Sequence, residues 1–125
     1  MIVLDSSAVL AVILNEPGRD VVDDSTGGFA ISAVNLAEVV TKLVEFGFSD
    51  QHVGAAVEIF RVWCQPLTES QAIQAGVWRK ESRRFGLSLG DRCCLALAKE
   101  LGATVYTTDR VWADLDLGVT IRVVR

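Results

Sequence analysis

Four acidic residues, Asp5, Glu38, Asp91 and Asp109, stand where a carboxylate could do chemistry. Asp5 follows the apolar run Ile2-Val3-Leu4, and Asp109 follows Thr104-Val105-Tyr106 after two threonines. Glu38 falls in the second turn of one expected helix and Asp91 in the first turn of another. Brought within a few ångströms of one another, four acids cannot all stay ionised without a compensating cation. Oxygen donors of this kind suit Mg²⁺ or Mn²⁺. Such an ion activates water and stabilises charge developing on a phosphodiester.

Each acid also has a structural role open to it. Asp5 and Asp109 are placed to cap helices, and Glu38 to pair with Lys42 four residues on. Asp91 could complete a capping box with Ser88. It is the hardest to explain by structure alone. It shares a helical stripe with Cys94, Leu95 and Ala98, and no basic residue lies three or four positions away. An acid on a buried stripe is costly unless it is paired or holds a metal.

The elements that must position these acids follow from the pattern of apolar runs and breakers. Ile2-Val3-Leu4 reads as a strand, and Ala8 to Leu14 as a helix stopped by Pro17-Gly18. Phe29-Ala30-Ile31 reads as a second strand, capped into a helix from about Ala33 to Phe46. Another helix runs from about Asp50 to Trp63, with Val53, Val57 and Phe60 at helical spacing. Cys64 to Leu67 is a third strand. Thr68-Glu69-Ser70-Gln71 is a capping box that opens a helix reaching about Phe85. Ser88 caps a helix ending at Gly102, Thr104 to Tyr106 is a fourth strand, and Thr107-Thr108-Asp109 starts a short helix. Val119 to Val124 is the last strand. Strands separated by helices imply right-handed crossovers and a parallel sheet covered on both faces. Sites in such sheets lie at the carboxyl ends of the strands.

Bulk properties bound the function. The chain has 125 residues, half of them hydrophobic and 22% charged, so one ordered domain spanning 1–125 is expected. Its longest apolar run is Ala8 to Leu14, too short for a membrane span. No basic region precedes Asp5, so a signal peptide is not expected. Cys64, Cys93 and Cys94 form neither a disulfide framework nor a zinc motif, which places the chain in the cytoplasm. Net charge is −4 from 12 Lys and Arg against 16 Asp and Glu; without the four acids above, the balance is 12 against 12.

Four segments together resemble a known family. Met1-Ile2-Val3-Leu4-Asp5-Ser6-Ser7-Ala8 is similar to the opening of PIN domains, especially the VapC toxins of bacterial toxin–antitoxin pairs. Ser32-Ala33-Val34-Asn35-Leu36-Ala37-Glu38-Val39 resembles their second motif. Leu87-Ser88-Leu89-Gly90-Asp91-Arg92-Cys93-Cys94-Leu95-Ala96-Leu97-Ala98 resembles the third, and Thr107-Thr108-Asp109-Arg110-Val111-Trp112 the fourth. One motif alone would be weak; four in order are specific. The resemblance implies a three-layer α/β/α sandwich and endonucleolytic cleavage of RNA by water. It implies Mg²⁺ or Mn²⁺ bound by Asp5, Glu38, Asp91 and Asp109, with Thr107 supporting the site. It also implies a homodimer neutralised by a small antitoxin whose tail occupies the site. Asp114 and Asp116, which follow the fourth motif, are read as loop residues.

Arg79, Lys80, Arg83, Arg84 and Arg92 face only Glu81 and Asp91 within the same stretch, a local +3. A helical ridge of this kind could hold RNA phosphates beside Asp91; a solvated helix face is the plainer alternative. Trp63, Trp78 and Trp112 could stack on bases, but core or dimer packing is the stronger expectation. His52 has no sequence partner and is read as surface. A phosphoacceptor receiver would need adjacent acids after the first strand, whereas Asp5 is followed by serines. A dinucleotide-binding fold would need Gly-x-Gly-x-x-Gly in that turn. A non-catalytic PIN-like scaffold remains as the rival from another class, and the presence of all four acids opposes it.

Overall fold

The computed structural model describes residues 1–125. The first strand, β1 (Ile2–Leu4), is wholly buried, and Asp5 ends it by capping α1 (Ser6–Ile13). A short helix, α2 (Arg19–Asp23), follows Gly18, in a stretch where the sequence pattern predicts no element. Gly18 has φ +104°, and a side chain there would meet Val124 Cγ2 at 2.8 Å, so glycine is required twice over. Strand β2 (Phe29–Ser32) passes directly into α3 (Ala33–Glu45), whose Val34 N–H is taken by the Ser32 hydroxyl. Then come α4 (Asp50–Phe60) and β3 (Cys64–Gln65), shorter than the run to Leu67 predicts.

The helix expected to open at the Thr68 capping box and run to about Phe85 is broken. It becomes α5 (Glu69–Val77), α6 (Arg79–Ser82) and a 3₁₀ turn over Arg83–Phe85. The break falls at Trp78, which is 5% exposed, and the Ser82 hydroxyl donates back to the Trp78 carbonyl at 2.7 Å. Such back-bonding competes with the helix ladder. The capping box predicted at Thr68 is half made: Thr68 Oγ1 accepts from Gln71 N at 3.2 Å, but the Gln71 side chain turns instead to Glu100. Helix α7 (Leu89–Leu101), strand β4 (Thr104–Thr107), a 3₁₀ turn (Arg110–Asp114) and β5 (Ile121–Val123) complete the chain.

The five strands form a parallel sheet in the order β3-β2-β1-β4-β5. Side chains alternate across it, as the two-residue strand period demands. Val3, Ala30 and Val105 face one core with Trp78, Leu95, Leu97 and Trp112, beneath α5 and α7. Ile2, Leu4, Ile31 and Tyr106 face the other with Val9, Leu43 and Phe60, beneath α1, α3 and α4. The result is the expected three-layer α/β/α sandwich. Leu95 and Leu97 are essentially inaccessible, so truncating either to Ala costs about 2–5 kcal/mol.

The chain leaves β1 to one side for β2 and β3, then returns to its other side for β4. The crevice at the carboxyl end of β1 lies at this reversal, and Asp5 stands in it.

Candidate active site

Asp5 is 5% exposed and its backbone N–H bonds the Tyr106 carbonyl of β4 at 3.2 Å. Its Oδ1 accepts from the Ala8 N–H at 2.9 Å and the Ser7 hydroxyl at 2.6 Å. Its Oδ2 accepts from the Thr107 hydroxyl at 2.6 Å, across 102 positions of sequence. Thr107 Oγ1 in turn accepts from the Asp109 N–H at 3.1 Å. One threonine therefore ties the first acid to the loop that carries the last. Ser7 repeats the link, because its Oγ accepts from Thr108 N at 2.9 Å.

Glu38 does not pair with Lys42, which contacts Glu45 instead at 3.5 Å. Its Oε1 accepts from the Ser6 hydroxyl at 2.6 Å and the Asn35 amide at 2.8 Å. Asn35 also donates to the Gly90 carbonyl at 3.1 Å, which fastens α3 to the first turn of α7. Asp91 completes the capping box foreseen as its alternative role: its Oδ2 accepts from Ser88 N at 2.9 Å, while Asp91 N donates to Ser88 Oγ at 3.1 Å. Asp109 caps the following turn by accepting from Val111 N at 3.1 Å. The capping roles of Asp5, Asp91 and Asp109 are thus real.

Two of the four carboxyls are pushed towards their neutral forms by their surroundings. Burial pushes the Asp5 carboxyl up from 3.8 to about 6; the Asp91 charge adds to the rise, against hydrogen bonds from Ser7, Thr107 and Ala8. Burial likewise raises Asp91, with Glu38 and Asp109 adding their charges and Ser88 opposing. The Cys94 thiol is pushed well up by burial, and further by Asp5, Asp91 and Glu38, so it stays protonated and no ligand. The acids are therefore electrostatic neighbours.

They are not drawn tight, however: no group of three or more His, Cys, Asp or Glu side chains is close enough to hold a metal ion. The donor set nonetheless fits a hard cation. Glu38, Asp91 and Asp109 each accept protein hydrogen bonds through one oxygen only, leaving Oε2, Oδ1 and Oδ2 respectively without a donor. Free carboxylate oxygens beside a buried acid of raised proton affinity suit Mg²⁺ or Mn²⁺.

A sequence profile of the PIN domain matches residues 2–117. The chain belongs to the PIN domain family. No curated protein matches this PIN domain by sequence. Among solved structures it is similar to VapC20 of Mycobacterium tuberculosis, a sarcin–ricin loop cleaving toxin, at 19% identity and TM-score 0.79, over 96% of this chain and 99% of that one. It is similar to DNA-bound VapBC from Salmonella typhimurium at 20% identity and TM-score 0.77, over 97% and 96%. A toxin–antitoxin complex from Klebsiella pneumoniae matches at 18% identity and TM-score 0.74, over 96% of each chain. At these identities the likeness shows the fold.

The basic ridge needs one correction. Arg79, Lys80, Arg83 and Arg84 are exposed, but Arg92 is 8% exposed and donates to the Ala75 carbonyl at 2.9 Å. It joins α7 to α5 and is no part of the ridge. Trp78 and Trp112 are core residues, and Trp63 packs on Phe29 and Phe60 with ring centroids 5.2 and 5.8 Å away, so the expected packing role holds. Asp114 ends the last 3₁₀ turn and Asp116 lies in the loop after it. His52 is exposed and lines the largest cavity, about 620 Å³, between α1, α2 and α4. None of the four acids lines that apolar cavity. No helix is long and apolar enough to cross a membrane.

Ser6, Ser7, Asn35 and Gly90 join this site without being singled out by the sequence pattern. Two serines directly after a strand-end aspartate were the available signal for the first pair. Nothing local marked the other two, because their roles depend on α3 meeting α7.

Proposed function

We propose that this PIN domain, acting as one unit over residues 1–125, is a metal-dependent endoribonuclease and the toxin of a toxin–antitoxin pair. The single observation that carries the reading is the Thr107–Asp5 hydrogen bond at the crevice: it holds a buried acid beside Asp91, itself neighboured by Glu38 and Asp109. Asp5, Glu38, Asp91 and Asp109 would hold Mg²⁺ or Mn²⁺, and Thr107 would orient Asp5. When bound, the cation polarises water and neutralises charge developing on the phosphodiester. Thr107 and Ser7 fix both Asp5 oxygens, Ser6 and Asn35 fix Glu38, and the capping box fixes Asp91. Each carboxylate is oriented singly by these bonds, and a cation would have to draw the four together. Arg79, Lys80, Arg83 and Arg84 would take RNA phosphates.

The neighbours include a toxin described as cleaving the sarcin–ricin loop and several toxin–antitoxin complexes, which supports RNA as substrate and a small antitoxin as partner. The antitoxin would place an Arg or Lys against the acids, in the cytoplasm where both would be made. Neutralising the four acids should weaken an antitoxin that blocks the site; unchanged affinity would remove the blocking model. The main test is cleavage of bulk RNA. Activity is expected with Mg²⁺ or Mn²⁺ and should stop on chelation, while undiminished cleavage in excess EDTA by a clean preparation would sink the metal reading. Absence of cleavage under any ion would favour a binding scaffold.

A further inference from the structure

We propose that Gly90 and Asn35 are positioning residues that seat the Glu38 carboxylate against the first turn of α7. The inference rests on the reading of Glu38 as a site carboxylate, and it begins with an oddity of α7. Gly90 is a buried helical glycine with no positive φ, so its backbone has no need of glycine. Glycine is nonetheless a poor helix former.

The reason is the space it leaves. A Cβ built at Gly90 would meet three atoms first, all from the Glu38 carboxylate, with Cδ at 2.5 Å and Oε1 at 2.6 Å. The other helical glycines, Gly54 and Gly76, have nothing within 4 Å of that point. Glu38 therefore occupies the volume of an absent side chain. Asn35 holds it there. Its Nδ2 donates both to Glu38 Oε1 and to the Gly90 carbonyl, the two surfaces that must stay in register. Those two bonds fix the amide orientation and leave Asn35 Oδ1 buried without a partner. An orphaned buried acceptor is destabilising, and the Nδ2 clamp is what it is kept for. With Ser6 on the same oxygen, Oε1 takes two donors and Oε2 none.

The full-length protein carrying Gly90→Ala or Asn35→Asp, each alone and each combined with Glu38→Ala, tests this. Mn²⁺ affinity is read by electron paramagnetic resonance of the free ion, and Tm is read without metal. Each single substitution should lower Mn²⁺ affinity on the order of tenfold or more, as disturbed ligand supports do. Neither should add to the loss once Glu38 is Ala. Gly90→Ala should lower the metal-free Tm in the parent but raise it beside Glu38→Ala, where only the helix gain remains. Equal changes in both backgrounds would overturn the proposal and make Gly90 and Asn35 ordinary packing residues. If the parent takes up no Mn²⁺, the nuclease reading fails, and the Tm cycle alone decides whether the seat exists.

Discussion

Asp91 caps α7 through a single carboxylate oxygen. Its Oδ2 is committed to Ser88 N, and its Oδ1 is free. Asn can accept the same Ser88 bond, so Asp91→Asn should keep α7 capped. Removing one of several repelling acids should leave the metal-free Tm unchanged or higher. If Asp91 holds the cation, cleavage should fall by about a hundredfold or more, the scale of losing one charge-stabilising group. Parental cleavage by the variant would leave Asp91 a cap and nothing else. Asp5 supplies a pH test. Its folded pKa, about 6, lies above the ordinary 3.8, so the folded state holds its proton more tightly. That contribution is fully present below pH 3.8 and is lost as pH rises through about 6, for a total of about 3 kcal/mol. Urea unfolding of the metal-free parent should therefore lose ground to Asp5→Asn across this window. Parallel pH curves would show that Asp5 is not pressed towards its neutral form. The acids themselves were readable because strand-end and first-turn positions are visible in sequence. The hydroxyls that orient them were not, since Ser6, Ser7 and Thr107 look like ordinary caps until β1 and β4 lie side by side.

At the scale of elements, α7 does most of the joining. Gly90 admits Glu38, Asp91 faces the acids, and Arg92 reaches α5 one residue later. The sequence reading placed Arg92 in the basic ridge because charge can be summed along a chain without knowing which side of a helix it leaves. The structure separates the two cases, and so would substitution. Arg92→Met strands the Ala75 carbonyl and should cost about 1–3 kcal/mol of stability. Its effect on the salt dependence of RNA binding should be nil. Arg83→Gln or Arg84→Gln should leave Tm unchanged and reduce the salt slope by about one each. Filter binding across a salt series distinguishes them, and the reverse pattern would return Arg92 to the ridge. The break at Trp78 was illegible for a related reason: a buried indole and a back-bonded Ser82 override a segment whose local propensities continue the helix.

Across the whole molecule, the strand–helix alternation was legible because its breakers, Pro17-Gly18, Gly86 and Gly102, punctuate apolar runs of the right length. The parallel order was legible as a rule of connection, but the position of β1 at the centre was not, since no residue announces its lateral neighbours. The surface offers a last measurement. Val62, Ile73 and Val77 are 74%, 60% and 63% exposed and are apolar side chains a second copy could cover. The homodimer implied by the resemblance should appear in sedimentation at micromolar concentration; a monomer throughout would dismiss it.

The central place of β1 also bears on how the molecule is made. Strand β1 is bordered on one side by Phe29–Ser32 and on the other by Thr104–Thr107, which is translated long after it. Asp5 cannot receive the Thr107 hydroxyl until more than a hundred residues have been added. At ordinary elongation rates of about 5–20 residues per second, that is several seconds during which the nascent chain holds its acids scattered. Until Thr104–Thr107 is in place, neither the Thr107 tie to Asp5 nor its link to Asp109 can form. A partner that docks against the assembled acids would have nothing to grasp before then, so the crevice and the surface that blocks it would arise at the same moment.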